Sequence, residues 1–360
     1  MIFGRGRDYR IGMSLSVIFN EARLKGMALA KIGNPLRKEP LQTSKTLCQF
    51  HDEDAELLTH CFLKPFRTLE LHEFTDLDEN ALFKDIGEIF EDTAQLVEKS
   101  ASISRHLYSS SNHPSIKSGD LCVALLDEIL VDGVPTRAIC LIKSESKVPF
   151  LQVAVIDGDL QLTTQRGIYP DKIDKGCLIL DHGKADGYAV YLFDKSGNTQ
   201  FWNREFVKAI PTRNDDFLTR RYSEMCVAFA DTGVPEDGMK EERVDVAKRA
   251  VSYLSNSEEF DLDEMKKEVL EEPELIEEFS NFKKEYEETE VGLPLDESFT
   301  VAKKEAKKAE RKLNSRMKLD VGVDMRFSTG FQKAADNFLE KGFDEERDMK
   351  YVKIWYHGEK

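Results

Sequence analysis

Apolar side chains change their spacing twice along this chain, and each change marks a change of structure. Residues 27–32 and 41–46 are short apolar stretches that predict strands, with Gly33-Asn34-Pro35 as turn chemistry between them. The period then becomes helical. Residues 52–66 place Leu57, Leu58, Cys61 and Phe62 on one face, with acids near the start. A second helix from Asn80 carries Leu82, Phe83, Ile86, Ile89 and Phe90, a stripe of 3.6-residue period. A third, 93–108, carries Leu96, Val97, Ile103 and Leu107 and is broken by 109–114.

From residue 120 the pattern shortens. Segments 121–131 and 136–143 flank Asp132-Gly133, a dipeptide that favours a tight hairpin. Strands are further predicted at 150–156, 160–164, 176–181 and 188–193, with Gly158, Gly187 and Gly197 in the breaks. Short strands joined by short loops imply an antiparallel meander rather than a doubly wound parallel sheet. After Pro211 the helical period returns, at 215–230, 240–254, 261–270 and 273–286, with Pro273 placed for a first turn. A basic helix at 301–312, strand-like segments within 316–327 and an aromatic strand at 351–356 complete the chain. The expected class is α+β. Residues 1–26 form a leader outside the pattern, 27–211 a domain of N-terminal helices and antiparallel sheet, and 212–360 an acidic helical region followed by a small basic, mixed C-terminal segment.

Charge sharpens this division. Of the 360 residues, 67 are acidic and 51 basic, a formal charge of −16. A uniform charge of that size repels DNA and anionic membranes. It is not uniform: residues 258–297 hold 17 acids against four lysines, a net of −13. Residues 301–320 then hold eight bases (Lys303, Lys304, Lys307, Lys308, Arg311, Lys312, Arg316 and Lys318) against three acids, a net of +5. The protein is polarised, and any nucleic-acid contact is expected to be local.

Other chemistry finds little support. No run approaches the roughly 18 uninterrupted apolar residues of a membrane span, and residues 1–7 lead into no apolar core of signal-peptide type. The six cysteines are scattered without a C-x-x-C, mostly in apolar runs, so a reducing cytoplasm is expected. Cys48, His51, His60 and Cys61 resemble a zinc set superficially, but adjacent His60 and Cys61 point about 100° apart on a helix. No metal or other cofactor is expected. Glu145-Ser146-Lys147 with Asp127 crudely echoes a metal-dependent nuclease, whose carboxylates hold Mg²⁺ beside a lysine. Following a strand and preceding Pro149, it reads better as a charged, solvated loop, with a phosphate contact or a structural ion pair as the remaining alternatives. Phosphate-binding glycine loops and the G-x-S-x-G elbow are missing, and His106 and His113 read as structural. The chain is not expected to be an enzyme.

The basic segment is the strongest chemical signal. Lys303, Lys304, Lys307, Lys308 and Arg311 recur at helical spacing, with Ala302, Ala306, Ala309 and Leu313 on the complementary side. Such a face can neutralise phosphates and release counterions, binding double-stranded DNA with little sequence preference. The same lysines could instead pair with the neighbouring acids, and the acidic block could tether a basic partner.

The order of segments resembles the bacterial nucleoid-associated protein family, the NdpA-like group and its Bacteroidetes-type members. The residues that carry the resemblance are 31–34 (Lys-Ile-Gly-Asn), 62–66 (Phe-Leu-Lys-Pro-Phe), 106–117 (from His106 through His113 to Lys117), 142–151, 174–179 (Asp-Lys-Gly-Cys-Leu-Ile), Phe201-Trp202, 296–299, the basic stretch, and the ending 341–355. It spans roughly residues 27–357; Pro35 stands where a basic residue is more usual. The resemblance implies a cytoplasmic protein on the bacterial nucleoid that binds DNA without chemistry, with a topoisomerase as an expected kind of partner. A homodimer is compatible with these features.

Overall fold

The structure, a computed structural model, describes residues 15–67, 70–169, 172–195, 200–232, 240–319, 321–332 and 334–358. The expected leader falls largely on 1–14, outside the described residues. The chain forms two compact units, residues 15–212 and residues 213 onward.

The first unit is built on a nine-stranded antiparallel sheet. Its strands are β1 (Val17–Ile18), β2 (Arg23–Ile32), β3 (Gln42–Thr43), β4 (Leu71–Phe74), β5 (Gly119–Val131), β6 (Val134–Ser144), β9 (Lys175–Leu180), β10 (Ala189–Asp194) and β11 (Ala209–Pro211); β7 (Val148–Ile156) and β8 (Asp159–Gly167) pair only with each other. The order is β11-β4-β10-β9-β6-β5-β2-β3, with β1 alongside β5. At the centre, Asp132 and Gly133 both adopt positive φ, 49° and 80°, which joins β5 to β6 in the tight hairpin that Asp-Gly favours.

Both faces of this sheet are covered. On one, Ile139, Leu141, Cys177 and Ile179 pack with α2 (Ala81–Glu91) and α3 (Leu96–Ser110) through Leu82, Ile86, Ile103 and Leu107. On the other, Cys140, Ile142, Leu178 and Leu180 pack with α1 (Asp52–Leu63) and the turn after it, through Phe62, Leu63 and Phe66. Strands buried on both faces read as continuous apolar runs, which is why Cys140 and Cys177 sit in such runs. Asn80 starts α2: its side-chain oxygen accepts from the Phe83 amide at 3.1 Å, and its side-chain amide donates to the Val207 carbonyl at 3.1 Å. Val207 ends a π-helical segment, Gln200–Val207, that buries Trp202 and lets its indole N–H donate to the Gly176 carbonyl at 3.2 Å. Periodicity did not signal β4, β11 or this segment.

The second unit is helical at first. α4 (Asp215–Thr232), α5 (Lys240–Asn256), the single turn α6 (Leu262–Met265), α7 (Pro273–Tyr286) and α8 (Lys303–Asn314) enclose a core that includes Phe217, Leu218, Tyr222, Phe229, Leu254 and Phe279. The expected helix at 261–270 is α6 continued by a π-helical segment, Lys266–Leu270. Strands β12 (Glu259–Asp261) and β13 (Ser298–Thr300) pair within it and bring the rings of Phe260 and Phe299 to 4.7 Å. The hairpin of β14 (Arg316–Lys318) and β15 (Asp324–Arg326), the turns α9 (Thr329–Gln332) and α10 (Ala335–Phe338), and the hairpin of β16 (Leu339–Asp344) and β17 (Met349–Ile354) follow. Helices on a predominantly antiparallel sheet, followed by a helical and mixed region, make this an α+β protein.

Candidate nucleic-acid interface

Helix α8 forms where the sequence places its amphipathic pattern. Ala306 is fully buried, Ala302, Ala309 and Leu313 are partly buried, and this side packs on α4 and α5. The helix lacks a side-chain cap at Ala302; instead the Ala302 amide donates to the Thr219 hydroxyl of α4 at 2.9 Å. Small alanines let the backbone approach closely, so the long cationic side chains are the ones left pointing outward.

At about 100° per residue, Lys307, Arg311, Lys304, Lys308 and Lys312 fall within an arc of about 140°. All five are exposed. Among the described residues, the side chains of Lys304, Lys307, Arg311 and Lys312 have no ion-pair or hydrogen-bond partner. Lys308 lies 3.4 Å from the Glu305 carboxylate, which also faces Arg220 at 3.7 Å. Arg311 and Lys312 occupy the last turn, where the helix dipole favours positive charge.

Lys303 behaves differently. Its ammonium donates to the carbonyls of Ser257 at 2.6 Å and Ser255 at 3.3 Å, and pairs with Glu258 at 3.3 Å. This is the only ion pair between the acidic block and α8 among the described residues. Most other acids of the block are exposed or paired elsewhere: Glu271 with Arg249, Asp296 with Arg213, and the buried Glu287 with Lys283 at 2.5 Å. The side chains of Arg316 and Lys318 lie outside the described residues. The β14–β15 register does place the exposed Arg326 opposite Arg316, a cation that periodicity did not single out because ten residues separate the two in sequence.

The Glu145-Ser146-Lys147 loop is not simply solvated, and that expectation is corrected. Glu145 has only 3% of its side chain exposed. The cause is a row of charges across three strands: Lys143 on β6 faces Lys175 on β9, which faces Asp194 on β10. Two ammonium groups side by side in a sheet interior require compensation. Glu145 accepts from Lys143 at 2.6 Å and lies 3.2 Å from Lys175, while Asp194 accepts from Lys175 at 2.9 Å. Lys143 also donates to the Lys117 carbonyl at 2.8 Å. Burial pulls the Lys143 ammonium below its ordinary range, and Glu145 opposes that pull. A cavity of about 480 Å³ opens beside this row, with His113, Lys117, Phe201 and Glu205 on its wall. Segments 106–117, 142–147, 174–179 and 200–206 thus meet at one place. Lys147 itself is exposed and pairs with Asp120 at 2.9 Å.

The remaining sequence candidates are held by structural contacts. His106 bonds to the Phe206 carbonyl at 3.1 Å and His113 to the Ser115 hydroxyl at 2.7 Å. Cys122, Cys140, Cys177 and Cys226 are buried, and burial pushes the Cys122 and Cys226 thiols up to about 12. Among the described residues no group of three His, Cys, Asp or Glu is placed to hold a metal, and no helix is long and apolar enough to cross a membrane.

No curated protein matches the chain. The sequence pattern of one family, described as nucleoid-associated protein YejK, matches residues 32–350. That span takes in most of the sheet unit, the acidic helices and α8 together, and on it the chain belongs to the nucleoid-associated protein YejK family.

Proposed function

We propose that the protein binds double-stranded DNA on the bacterial nucleoid, in the cytoplasm, through its backbone phosphates and without catalysis. The observation that carries this reading is the outward face of α8, where Lys304, Lys307, Arg311 and Lys312 are exposed and unpaired among the described residues. Had these cations been consumed by the acids of 258–297, the segment would read as a solvated, self-neutralised helix. Among the described side chains of the segment, only Lys303 is drawn to that block. Lys308, Arg316 and Lys318 extend the same reading along the chain, and Arg326 adds to it.

An interface of this kind reads charge rather than base sequence. Four to five phosphates neutralised give a logarithmic salt slope of about −4. A mobility shift on random-sequence duplex DNA tests it: the shift should weaken steeply between about 50 and 200 mM salt. Replacing Lys304, Lys307, Arg311 and Lys312 by Glu should abolish it; undiminished binding by that variant would sink the assignment. Plasmid incubated with the protein and Mg²⁺ or Mn²⁺ should remain intact, and nicking would return attention to Glu145 and Lys147.

A second reading rests on the acidic surface. Most carboxylates of 258–297 are exposed, and such a surface suits a basic protein partner, a topoisomerase among them, that would bring the protein to DNA. It predicts no DNA affinity at physiological salt for the isolated chain.

A further inference from the structure

The hairpin of β7 and β8 gathers an apolar row on one face, and nothing among the described residues covers it. The register pairs Val153 with Leu162, Val155 with Leu160 and Leu151 with Thr164, so these side chains share one face. Leu151, Val153, Val155, Leu160 and Leu162 are each between 65 and 71% exposed. The opposite face is mixed: it carries Gln152, Gln161, Thr163 and Gln165 alongside Phe150, Ala154 and Ile156, and the Gln165 side-chain amide donates to the Gln152 side-chain oxygen at 2.6 Å. The glutamine face thus has polar groups to offer water, whereas the face of Leu151, Val153, Val155, Leu160 and Leu162 has the composition of an interior.

We propose that this apolar face packs against the same face of a second copy of the chain, the two hairpins stacking as a small β-sandwich about a two-fold axis. Three arguments select a second copy. The first is area: at those exposures the five residues offer on the order of 600 Å² per copy, so a symmetric pair buries about 1,200 Å², the lower end of the range for specific interfaces. An ordinary monomer keeps its contiguous apolar patches near or below that size. The second is charge. Residues 148–167 contain only Asp157, Asp159 and Arg166, a net of −1 in a chain of −16, so this is a surface on which two such chains can meet with little repulsion. The third is complementarity. Arg166 lies at the open end of the hairpin, whereas Asp157 and Asp159 lie at its turn. Stacking the hairpins antiparallel sets the basic end of each over the acidic turn of the other, twice per dimer; a parallel stack sets like on like. A two-fold isologous contact is also the commonest way a soluble chain pairs with itself.

The test uses the full chain in sedimentation equilibrium over about 1–100 μM, the range in which weak to moderate dimers dissociate. Wild type should carry the mass of two chains at the upper end. The double variant Val153→Lys, Leu162→Lys should carry the mass of one, with unchanged circular dichroism and unfolding midpoint, because both positions face solvent in the isolated chain. Val153→Thr, Leu162→Thr keeps strand preference and should weaken dimerisation at least tenfold. A wild type that remains a single chain throughout overturns the proposal, whether or not it then binds lipid vesicles through this face. A dimer that survives the lysine variant overturns it as well.

Discussion

The ammonium of Lys303 and the carbonyl of Ser257 are joined by a 2.6 Å hydrogen bond, so the first cation of the basic helix closes the end of α5 instead of facing solvent. A lysine at a helix C-terminus contributes about 0.3–1 kcal/mol through the carbonyls it satisfies. Lys303→Ala should therefore lower the unfolding midpoint by a few degrees and leave the DNA mobility shift close to wild type. Lys307→Ala should do the reverse. Parallel thermal melts and gel shifts of the two variants separate the roles, and equal loss of DNA binding in both would show that Lys303 also reaches phosphate.

The charge row of β6, β9 and β10 makes a larger prediction. Lys143 is fully buried and holds Glu145, which also balances Lys175. Lys143→Met leaves too few cations for two buried carboxylates. Breaking such a set from one side costs about 3–5 kcal/mol. Chemical denaturation should show that loss with the DNA-binding face of the folded fraction intact. Lys147→Met, removing an exposed pair with Asp120, should cost less than about 1 kcal/mol.

Asp85 supplies a pH test. Burial raises its carboxyl above the ordinary range, against the opposing pull of Ser102 and Lys99. A carboxyl with a folded pKa above its unfolded value binds protons more tightly when folded. Its stabilising contribution is full below the unfolded value, near pH 4, and is lost as pH rises through the folded one. At neutral pH the ionised group opposes folding. Asp85→Asn should raise the unfolding midpoint in neutral buffer, and the gain should shrink toward zero as the buffer approaches about pH 4. A variant less stable than wild type at neutral pH would mean that the contact with Lys99, 3.9 Å away, outweighs desolvation.

Gly187 is the backbone counterpart. It has a φ of 100°, and a Cβ there would stand 2.5 Å from the Phe74 carbonyl oxygen. Neither the conformation nor the contact can be relieved by moving a flexible side chain. Gly187→Ala should cost about 2 kcal/mol or more, read as a lowered denaturant midpoint at unchanged slope.

Much of this architecture is legible in the chain because its elements have strong periods. The stripe of Leu82, Ile86 and Ile89 and the Asp132-Gly133 turn announce a helix and a hairpin without tertiary help. The segments that escape depend on distant partners. β4 is four residues long and pairs with β10 and β11, each more than 110 residues later. Glu145 reads as a solvated loop residue because its partner Lys175 is thirty positions away, brought alongside only by the β6–β9 register. The amphipathic pattern of α8 is plain in its alanines. Which of its lysines would serve a neighbouring helix end was not, since Ser255 and Ser257 lie nearly fifty residues upstream.

The position of β4 also bears on how the chain is made. Both of its sheet neighbours, β10 and β11, are synthesised long after it. At about 5–20 residues per second, roughly 140 residues separate β4 from Pro211, and the ribosome needs on the order of ten seconds to deliver them. During that interval a growing chain can form the β5–β6 hairpin but holds Leu71, His72 and Phe74 with no strand to join. β4 can take its place in the sheet only after the polypeptide emerging from the exit tunnel supplies β10 and β11, one for each side of a strand made early in translation.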